Sequence, residues 1–109
     1  MGLFGKKPGG AAIDEFWSFF KKISPDITGG FSDNASISRV LQAVDAALSK
    51  ICPKYAGRFE FEFGLHQNGS KYEFYFFHLR KPTLAALARA LKRRMPESLK
   101  AKWNFIIGA

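Results

Sequence analysis

The chain has 109 residues, of which 47% are apolar, and a formal net charge of +8. This length predicts one domain with a single core. No run approaches the roughly 20 consecutive apolar residues that a membrane helix needs, and Cys52, the only cysteine, excludes an internal disulfide. A cytoplasmic protein without a membrane span is therefore expected.

The first residues, Met1–Ala11, are predicted to form a flexible basic tail. Their glycines and lysines bury too little surface to become ordered, and they lack the apolar stretch of a secretion signal. A single domain is then expected over residues 12–109.

A first amphipathic helix is predicted from Ala12 to Ile23, because large apolar side chains recur there at helical spacing. Asp14 and Glu15 would lie in its first turn, where the helix dipole favours negative charge. The pair Ser24-Pro25 should end this helix, since the residue before a proline avoids helical backbone angles.

A second helix follows, and its apolar stripe is the most regular in the chain. Asn34 or Ser36 could cap its start, and Cys52-Pro53 should end it. Cys52 is interpreted as an inert thiol at the border of the core. The stripe comprises Ile37, Val40, Leu41, Val44, Ala47, Leu48 and Ile51.

The stretch from Arg58 to Arg80 predicts a β-hairpin. Two runs rich in aromatic residues flank Asn68-Gly69, a pair that tolerates the positive φ angles of a type I′ turn. With this pair at the centre of the turn the register is fixed, and a slip of one residue would bring glutamates into the core. The predicted partners on one face are Leu65 with Tyr72, Phe63 with Phe74, Phe61 with Phe76 and Phe59 with His78.

Alternation of side chains gives this hairpin one aromatic face and one mixed face. The aromatic face must be covered by helices, because each ring buries roughly 150–250 Å². The mixed face carries Glu60 and Glu62 on one strand and Tyr75, Phe77 and Leu79 on the other.

A third helix is predicted to open at Pro82 or Thr83, with a buried stripe of Leu84, Leu87, Ala88, Leu91 and Met95. The last predicted strand covers 103–107. A strand–helix–strand crossover makes the joined strands parallel, so this strand should run parallel to the second hairpin strand. Because a crossover often skips a position, it is expected beside the first hairpin strand.

The predicted fold class is α+β, with two layers and the order α-α-β-β-α-β. The sheet would consist of an antiparallel hairpin plus one strand parallel to its second strand. The helices would cover one face of that sheet.

The first helix contains Glu15-Phe16-Trp17-Ser18-Phe19-Phe20, and the last strand contains Trp103-Asn104-Phe105-Ile106. Together with the order of elements, these two motifs resemble those of a family of small bacterial α+β domains of unassigned function. Members of that family have Phe-Trp-x-aromatic-Phe in the first helix and Trp-x-Phe-Ile in the last strand. The resemblance covers the chain from about residue 14 and implies no activity and no functional residue. Members of that family usually continue into a further β-rich segment, whereas this chain stops at Ala109, so it is either complete as it stands or a shortened relative.

The basic charge is concentrated in the last part of the chain. From Arg80 onward there are eight lysines and arginines and one acidic residue, Glu97, which gives a net charge of +7. A candidate anion-binding patch on the third helix comprises Arg89, Lys92, Arg93 and Arg94. Such a cluster attracts nucleic acid or acidic partners, or it is merely a solvated helix face, which is the favoured interpretation.

The histidines are poor candidates for catalysis or metal binding. His66 is predicted to face solvent beside the turn, whereas His78 would lie on the aromatic face, so the two cannot share a metal ion. No Cys/His spacing of a zinc site exists. No cofactor is predicted.

The carboxylates of the mixed face are the only support for an enzyme. Glu60 and Glu62 could act as an acid–base pair. A solvated face with salt bridges to Arg58 and Lys71 is the favoured interpretation. The sequence therefore favours a protein that is not an enzyme.

A non-catalytic protein-binding or assembly domain is the favoured function. The candidate protein-binding patch comprises Tyr75, Phe77, Leu79, Glu60 and Glu62. An exposed apolar patch or a free strand edge needs a protein partner or a second copy of the chain. The alternative is low-specificity nucleic-acid binding, in which the basic third helix gives salt-sensitive affinity and the sheet aromatics stack on bases.

Overall fold

The computed structural model describes residues 9–29, 34–64 and 71–109. It confirms the α+β class, the two layers and the predicted order of the main elements, and it adds a 3-10 turn and a fourth, short helix. The elements are α1 (Gly10–Thr28), α2 (Asn34–Ile51), the 3-10 turn Pro53–Tyr55, β1 (Glu60–Gly64), β2 (Tyr72–Phe77), α3 (Pro82–Arg93), α4 (Glu97–Lys100) and β3 (Trp103–Gly108).

The antiparallel pairing of β1 with β2 has the predicted register. Phe61 lies opposite Phe76, and Phe63 lies opposite Phe74. The turn predicted at Asn68-Gly69, with Leu65 and His66, lies outside the described residues. The confirmed register nevertheless places the rings of Phe61, Phe63, Phe74 and Phe76 on one face and both β1 glutamates on the other.

The position of β3 corrects the sequence prediction. This strand pairs in parallel with β2, not with β1, so the strand order is β1-β2-β3. The parallel direction was predicted correctly. The position follows from packing, because the ring of Phe105 lies 5.1 Å from that of Phe74 and 6.2 Å from that of Phe76, measured between centroids.

The hydrophobic core lies between the aromatic face of the sheet and the helices. The α3 stripe predicted from the sequence is buried throughout, and Trp17 of α1 donates a buried hydrogen bond from Nε1 to the carbonyl oxygen of Leu91, at 3.1 Å. Among the described residues no charged side chain is buried. The largest buried side chains are those of Trp17, Trp103, Phe16, Phe20, Phe74 and Phe76.

Helix α1 does not end at Ser24-Pro25 as predicted but continues to Thr28 with Pro25 inside it. Proline has no N–H for the carbonyl of Lys21, four residues earlier. The hydroxyl of Ser24 donates to that carbonyl oxygen instead, at 3.2 Å. The buried side chain of Ile27 stabilises the added turn.

The start of α1 also differs from the prediction. The helix begins at Gly10, so two residues assigned to the tail are helical, while residues 1–8 lie outside the described part. Asp14 is therefore not in the first turn. Instead, Arg94 donates two hydrogen bonds to its carboxylate, from Nε at 2.9 Å and from Nη2 at 2.7 Å. This pair lowers the pKa of Asp14 below 3.8, mainly through the side-chain hydrogen bond.

Replacing Asp14 with asparagine should reduce the loss of stability in acid. Because the folded-state pKa is lowered, the pair contributes fully above the unfolded pKa of 3.8 and is lost as the pH falls through the lower value. The difference in unfolding free energy between wild type and Asp14→Asn should therefore shrink from neutral pH to about pH 3. Urea unfolding at several pH values measures it, with Glu15→Gln as the matched control. An unchanged difference would show that the pair does not stabilise the fold.

The connection from β2 to α3 is a tight turn with an unusual backbone. The N–H of Lys81 donates to the carbonyl oxygen of His78 at 2.9 Å. The two central residues, Leu79 and Arg80, have φ angles of 53° and 56°. Positive φ at both central positions defines a type I′ turn, which strongly prefers Asn-Gly. Here two bulky residues hold that geometry at a cost in free energy.

The double substitution Leu79→Asn with Arg80→Gly should stabilise the protein. Both new residues tolerate positive φ, so the gain in unfolding free energy should be about 1 kcal/mol or more. Thermal unfolding followed by circular dichroism measures it. Lys81→Gly is the matched control, because Lys81 has a φ of −101°, so glycine there relieves no positive φ, and its effect at the N-cap of α3 is measured separately. A double variant no more stable than wild type would contradict the proposed strain.

Candidate functional site

The face of the sheet opposite the helices, here called the outer face, is the candidate site. Its apolar side chains belong neither to the buried core nor to the partly buried residues packed against it. The glutamates of β1 are exposed, whereas Tyr75 and Phe77 of β2 are half-buried. The outer face comprises Glu60, Glu62, Glu73, Tyr75, Phe77, Asn104 and Ile106.

Two parallel rings form the apolar centre of the outer face. The centroids of Tyr75 and Phe77 are 6.4 Å apart, and their planes differ by 6°. The ring of Phe77 lies over Gly108 of β3, where an added Cβ would be 2.7 Å from Cδ1 of Phe77. Glycine at this position therefore lets Phe77 lie flat across the neighbouring strand.

A hydrogen bond fixes the outer end of Tyr75. Its hydroxyl donates to Oε1 of Glu73 at 2.9 Å. That carboxylate lies across Gly64 on β1, where an added Cβ would be 2.6 Å from it. The bond to Glu73 raises the pKa of Tyr75 above 10.0, and partial desolvation and the charges of Glu73 and Glu62 raise it further. Tyr75 is therefore a neutral donor at physiological pH.

The exposed glutamates are not neutralised as the sequence analysis expected. Within residues 9–29, 34–64 and 71–109, neither Glu60 nor Glu62 forms an ion pair. Arg58, the predicted partner, instead lies over the ring of Tyr55, 5.2 Å from its centroid, and donates to the carbonyl oxygen of Lys54 at 2.7 Å. Two uncompensated negative charges therefore border the aromatic pair.

Leu79, the remaining member of the predicted protein-binding patch, follows the end of β2. It is 38% exposed and occupies the strained turn described above. The structure thus places four of the five patch residues on the sheet face and the fifth in the adjoining turn.

The sequence analysis missed a groove between α2 and the free edge of β1. This α2–β1 groove has a volume of about 690 Å³ and contains Leu41, which is 39% exposed. Asp45 lies in it and accepts a hydrogen bond from the N–H of Gly57 at 2.9 Å. Leu41 belongs to the apolar stripe predicted for α2, so the sequence indicated this side of the groove. The predicted strand order placed β3 beside β1, so it did not indicate the free edge of β1.

The candidate anion-binding patch is divided by the structure. Arg89, Lys92 and Arg93 are exposed on α3. Arg94 is engaged with Asp14 and packs against Gly10 of α1, so its charge is already compensated. This patch is not continuous with the ring pair, which has glutamates around it.

A second groove follows the free edge of β3. This β3 groove has a volume of about 340 Å³ and is lined by Trp103–Ile106 together with Met95. Its polar lining is basic, with Lys71, Lys92 and Lys100. Of these three, Lys100 forms an ion pair with Glu97, whose Oε2 is 3.3 Å from Nζ of Lys100.

Potential metal ligands are not clustered in the described part of the chain. No group of three potential metal ligands occurs among them, and His66 lies outside them. His78 uses Nδ1 to accept the N–H of Arg80 at 3.0 Å, so it supports the turn. None of the helices described here has both the length and the apolar content for crossing a bilayer.

Comparison with known proteins adds no further assignment. No family model, no curated protein and no solved structure matches this chain. The resemblance to small bacterial α+β domains therefore stays a prediction from motifs, and the site must be interpreted from its own chemistry.

Proposed function

We propose that this protein is a non-catalytic protein-binding or assembly domain that contacts its partner through the outer face. The carrying observation is the parallel pair Tyr75 and Phe77, half-buried on a sheet face whose apolar side chains stay outside the core. Aromatic residues at the centre of a contact supply much of the binding energy in protein interfaces. A cytoplasmic location is part of this proposal.

The geometry supports binding rather than catalysis. Phe77 is seated over Gly108, and Tyr75 is fixed by Glu73, so the ring pair is ordered before a partner arrives. Preorganised side chains lose little conformational entropy on binding. The exposed glutamates at one side favour a partner with basic groups at the rim of the contact.

Site-specific photocrosslinking in cells tests the proposal. Phe77 is replaced by p-benzoylphenylalanine, and adducts are separated by mass and identified by mass spectrometry. We expect a discrete protein adduct from position 77. The same replacement at Ser98, an exposed position on α4, is the matched control and should not give that adduct. Absence of any protein adduct from position 77 would refute the proposal.

Low-specificity nucleic-acid binding is the second candidate, and the exposed cations of α3 favour it. The glutamates of the outer face argue against base stacking on Tyr75 and Phe77, because they repel phosphate. Fluorescence anisotropy with a labelled single-stranded oligonucleotide at about 20 mM salt tests this candidate. If Arg89, Lys92 and Arg93 contact phosphates, their replacement by alanine should reduce the slope of log K against log salt by about 2. No binding at low salt would remove this candidate.

A further inference from the structure

Strand β1 lies at an open edge of the sheet. Among the described strands it pairs only with β2, and the α2–β1 groove lies beside its other edge. The N–H and C=O groups along such an edge remain available for pairing with another strand. Several classes of peptide-binding domain capture an extended segment at an edge of this kind.

The two sides of the β1 edge differ in their chemistry. On the outer face Glu60 and Glu62 are exposed, and neither forms an ion pair with another described residue. On the helical side the groove has an apolar wall that includes half-buried Phe61 and Leu41, which is 39% exposed. The charged residues that line this groove, Asp45 and Glu60, are both acidic.

The cations nearest to β1 in the sequence do not neutralise its glutamates. Lys54 and Arg58 both lie over the ring of Tyr55, at 5.8 Å and 5.2 Å from its centroid. The net charge of the protein is concentrated from Arg80 onward, and α3, the basic helix of that segment, packs against β2 and β3. The glutamates of β1 are therefore an acidic site at the edge of the sheet away from β3.

We propose that β1 binds an extended segment of a partner protein in which basic and apolar residues alternate, and that this segment adds to the sheet as a further strand. Successive side chains of a strand point to opposite faces. The basic side chains of the added strand lie beside Glu60 and Glu62 on the same outer face, where opposite charges on neighbouring strands are stabilising. Its apolar side chains enter the groove against Leu41 and Phe61. Main-chain hydrogen bonds supply affinity, and the alternation supplies specificity.

Protection of the edge alone does not account for this arrangement. Charged side chains on an edge strand often prevent unwanted pairing, and the glutamates disfavour β1 against the β1 of another copy, because like charges on facing strands repel. Such protection does not require an open apolar groove on the helical side. A second copy does not fit the site either, because none of β1, β2 and β3 contains a lysine or an arginine.

The edge of β1 is a different surface from the ring pair, although Glu60 and Glu62 border both, so binding there goes beyond the proposed function. Amide NMR of isotope-labelled protein, titrated with a capped peptide of sequence Lys-Val-Lys-Val-Lys-Val-Lys, tests it. The titration uses about 150 mM salt, where the Debye length of about 8 Å screens the distant cations of α3 more than charges on neighbouring strands.

We expect the alternating peptide to shift the amide signals of β1 and to slow the exchange of alternate β1 amides with solvent. Only alternate amides should be affected, because successive N–H groups of a strand point to opposite edges. A control peptide of the same composition, with all lysines before all valines, keeps the charge but loses the alternation. It should bind at least about tenfold more weakly.

Protein variants locate the two sides of the contact. Glu60→Lys with Glu62→Lys should weaken binding of the basic peptide by about tenfold or more and create affinity for its counterpart Glu-Val-Glu-Val-Glu-Val-Glu. Leu41→Ser should also weaken binding, because it removes the apolar wall of the groove. Leu41→Met is the matched control and should bind as wild type does, since it keeps an apolar side chain of similar size.

Four outcomes would overturn the inference: β1 amides unchanged by the alternating peptide up to about 1 mM, equal binding of the control peptide, a charge-reversed variant that still prefers the basic peptide, or Leu41→Ser that binds as wild type does. Circular dichroism establishes that each variant is folded. If the charge-reversed variant is not, Glu60→Gln with Glu62→Gln replaces it and should weaken binding of the basic peptide. The photocrosslinking test is independent, because an adduct at position 77 does not require a strand at β1, and strand addition does not require that adduct.

Discussion

Replacing Phe74 with alanine should lower the free energy of unfolding by about 3–5 kcal/mol. Phe74 is fully buried in the middle strand and forms the centre of the aromatic core. Its truncation removes both buried apolar area and the packing contacts around the resulting cavity. The rings whose centroids lie within 6.3 Å of Phe74 belong to Phe16, Trp17, Phe20, Phe61, Phe63 and Phe105.

Urea unfolding followed by circular dichroism measures this loss, which is a large fraction of the about 5–15 kcal/mol that stabilises a typical domain. Phe77→Ala is the matched control, because it removes the same side chain from the same strand on the outer face. The control should lower the free energy of unfolding much less, since Phe77 is only half-buried and lies on the face of the sheet away from the core. Equal losses from the two variants would show that the faces are not distinguished by burial.

Replacing Trp17 with phenylalanine should lower the unfolding free energy by about 1–3 kcal/mol beyond the loss of ring area. The substitution removes the Nε1–H donor, so the buried carbonyl oxygen of Leu91 loses its hydrogen bond from Trp17. This bond joins α1 to α3, two helices that are far apart in the sequence. A buried acceptor left without a partner pays its full desolvation penalty.

Trp103→Phe is the matched control for this effect. Trp103 is 2% exposed and packs against the rings of Phe20, Phe63 and Tyr72. The substitution Trp103→Phe reduces the ring size in the same way, but it removes no side-chain hydrogen bond to the described residues, unlike the loss of the bond from Trp17. Trp17→Phe should therefore be the more destabilising of the two, and the reverse order would contradict the role of the hydrogen bond.

The hairpin pairing and the helices were predictable because each depends on local patterns. Phenylalanines at alternate positions, 59, 61 and 63 and then 74 and 76, share a face in the register that Asn68-Gly69 predicts, and a slip of one residue would separate the two sets. The stripe from Leu84 to Met95 likewise has one helical solution. In these stretches the local pattern and the packing of the domain agree.

The errors arose where a side-chain hydrogen bond or the packing of the domain, and not the local apolar pattern, decides the structure. Pro25 normally ends a helix, but Ser24 occupies the orphaned carbonyl and the burial of Ile27 favours another turn. The side of the sheet on which β3 pairs depends on ring contacts with Phe74 and Phe76, which no local pattern specifies. The position of β3 in turn determines which strand edges are free.

The candidate site was predicted in its membership but not in its environment. The sequence placed Tyr75 and Phe77 with the two glutamates on one face. It could not indicate that Arg58 would contact Tyr55 instead of the glutamates, because a cation–π contact and an exposed salt bridge have similar free energies. The pairing of Arg94 with Asp14, 80 positions apart, is likewise a product of tertiary structure.

The burial of both indole rings gives this protein an intrinsic optical signal. Trp17 and Trp103 are 0% and 2% exposed and lie among phenylalanine rings on the helical side of the sheet. Their emission should therefore be blue-shifted in the native state and move to longer wavelength when water reaches the indoles. Neither tryptophan lies on the outer face, so a partner that binds there should leave the native tryptophan emission unchanged. A shift of this emission to longer wavelength during a binding experiment would therefore report unfolding.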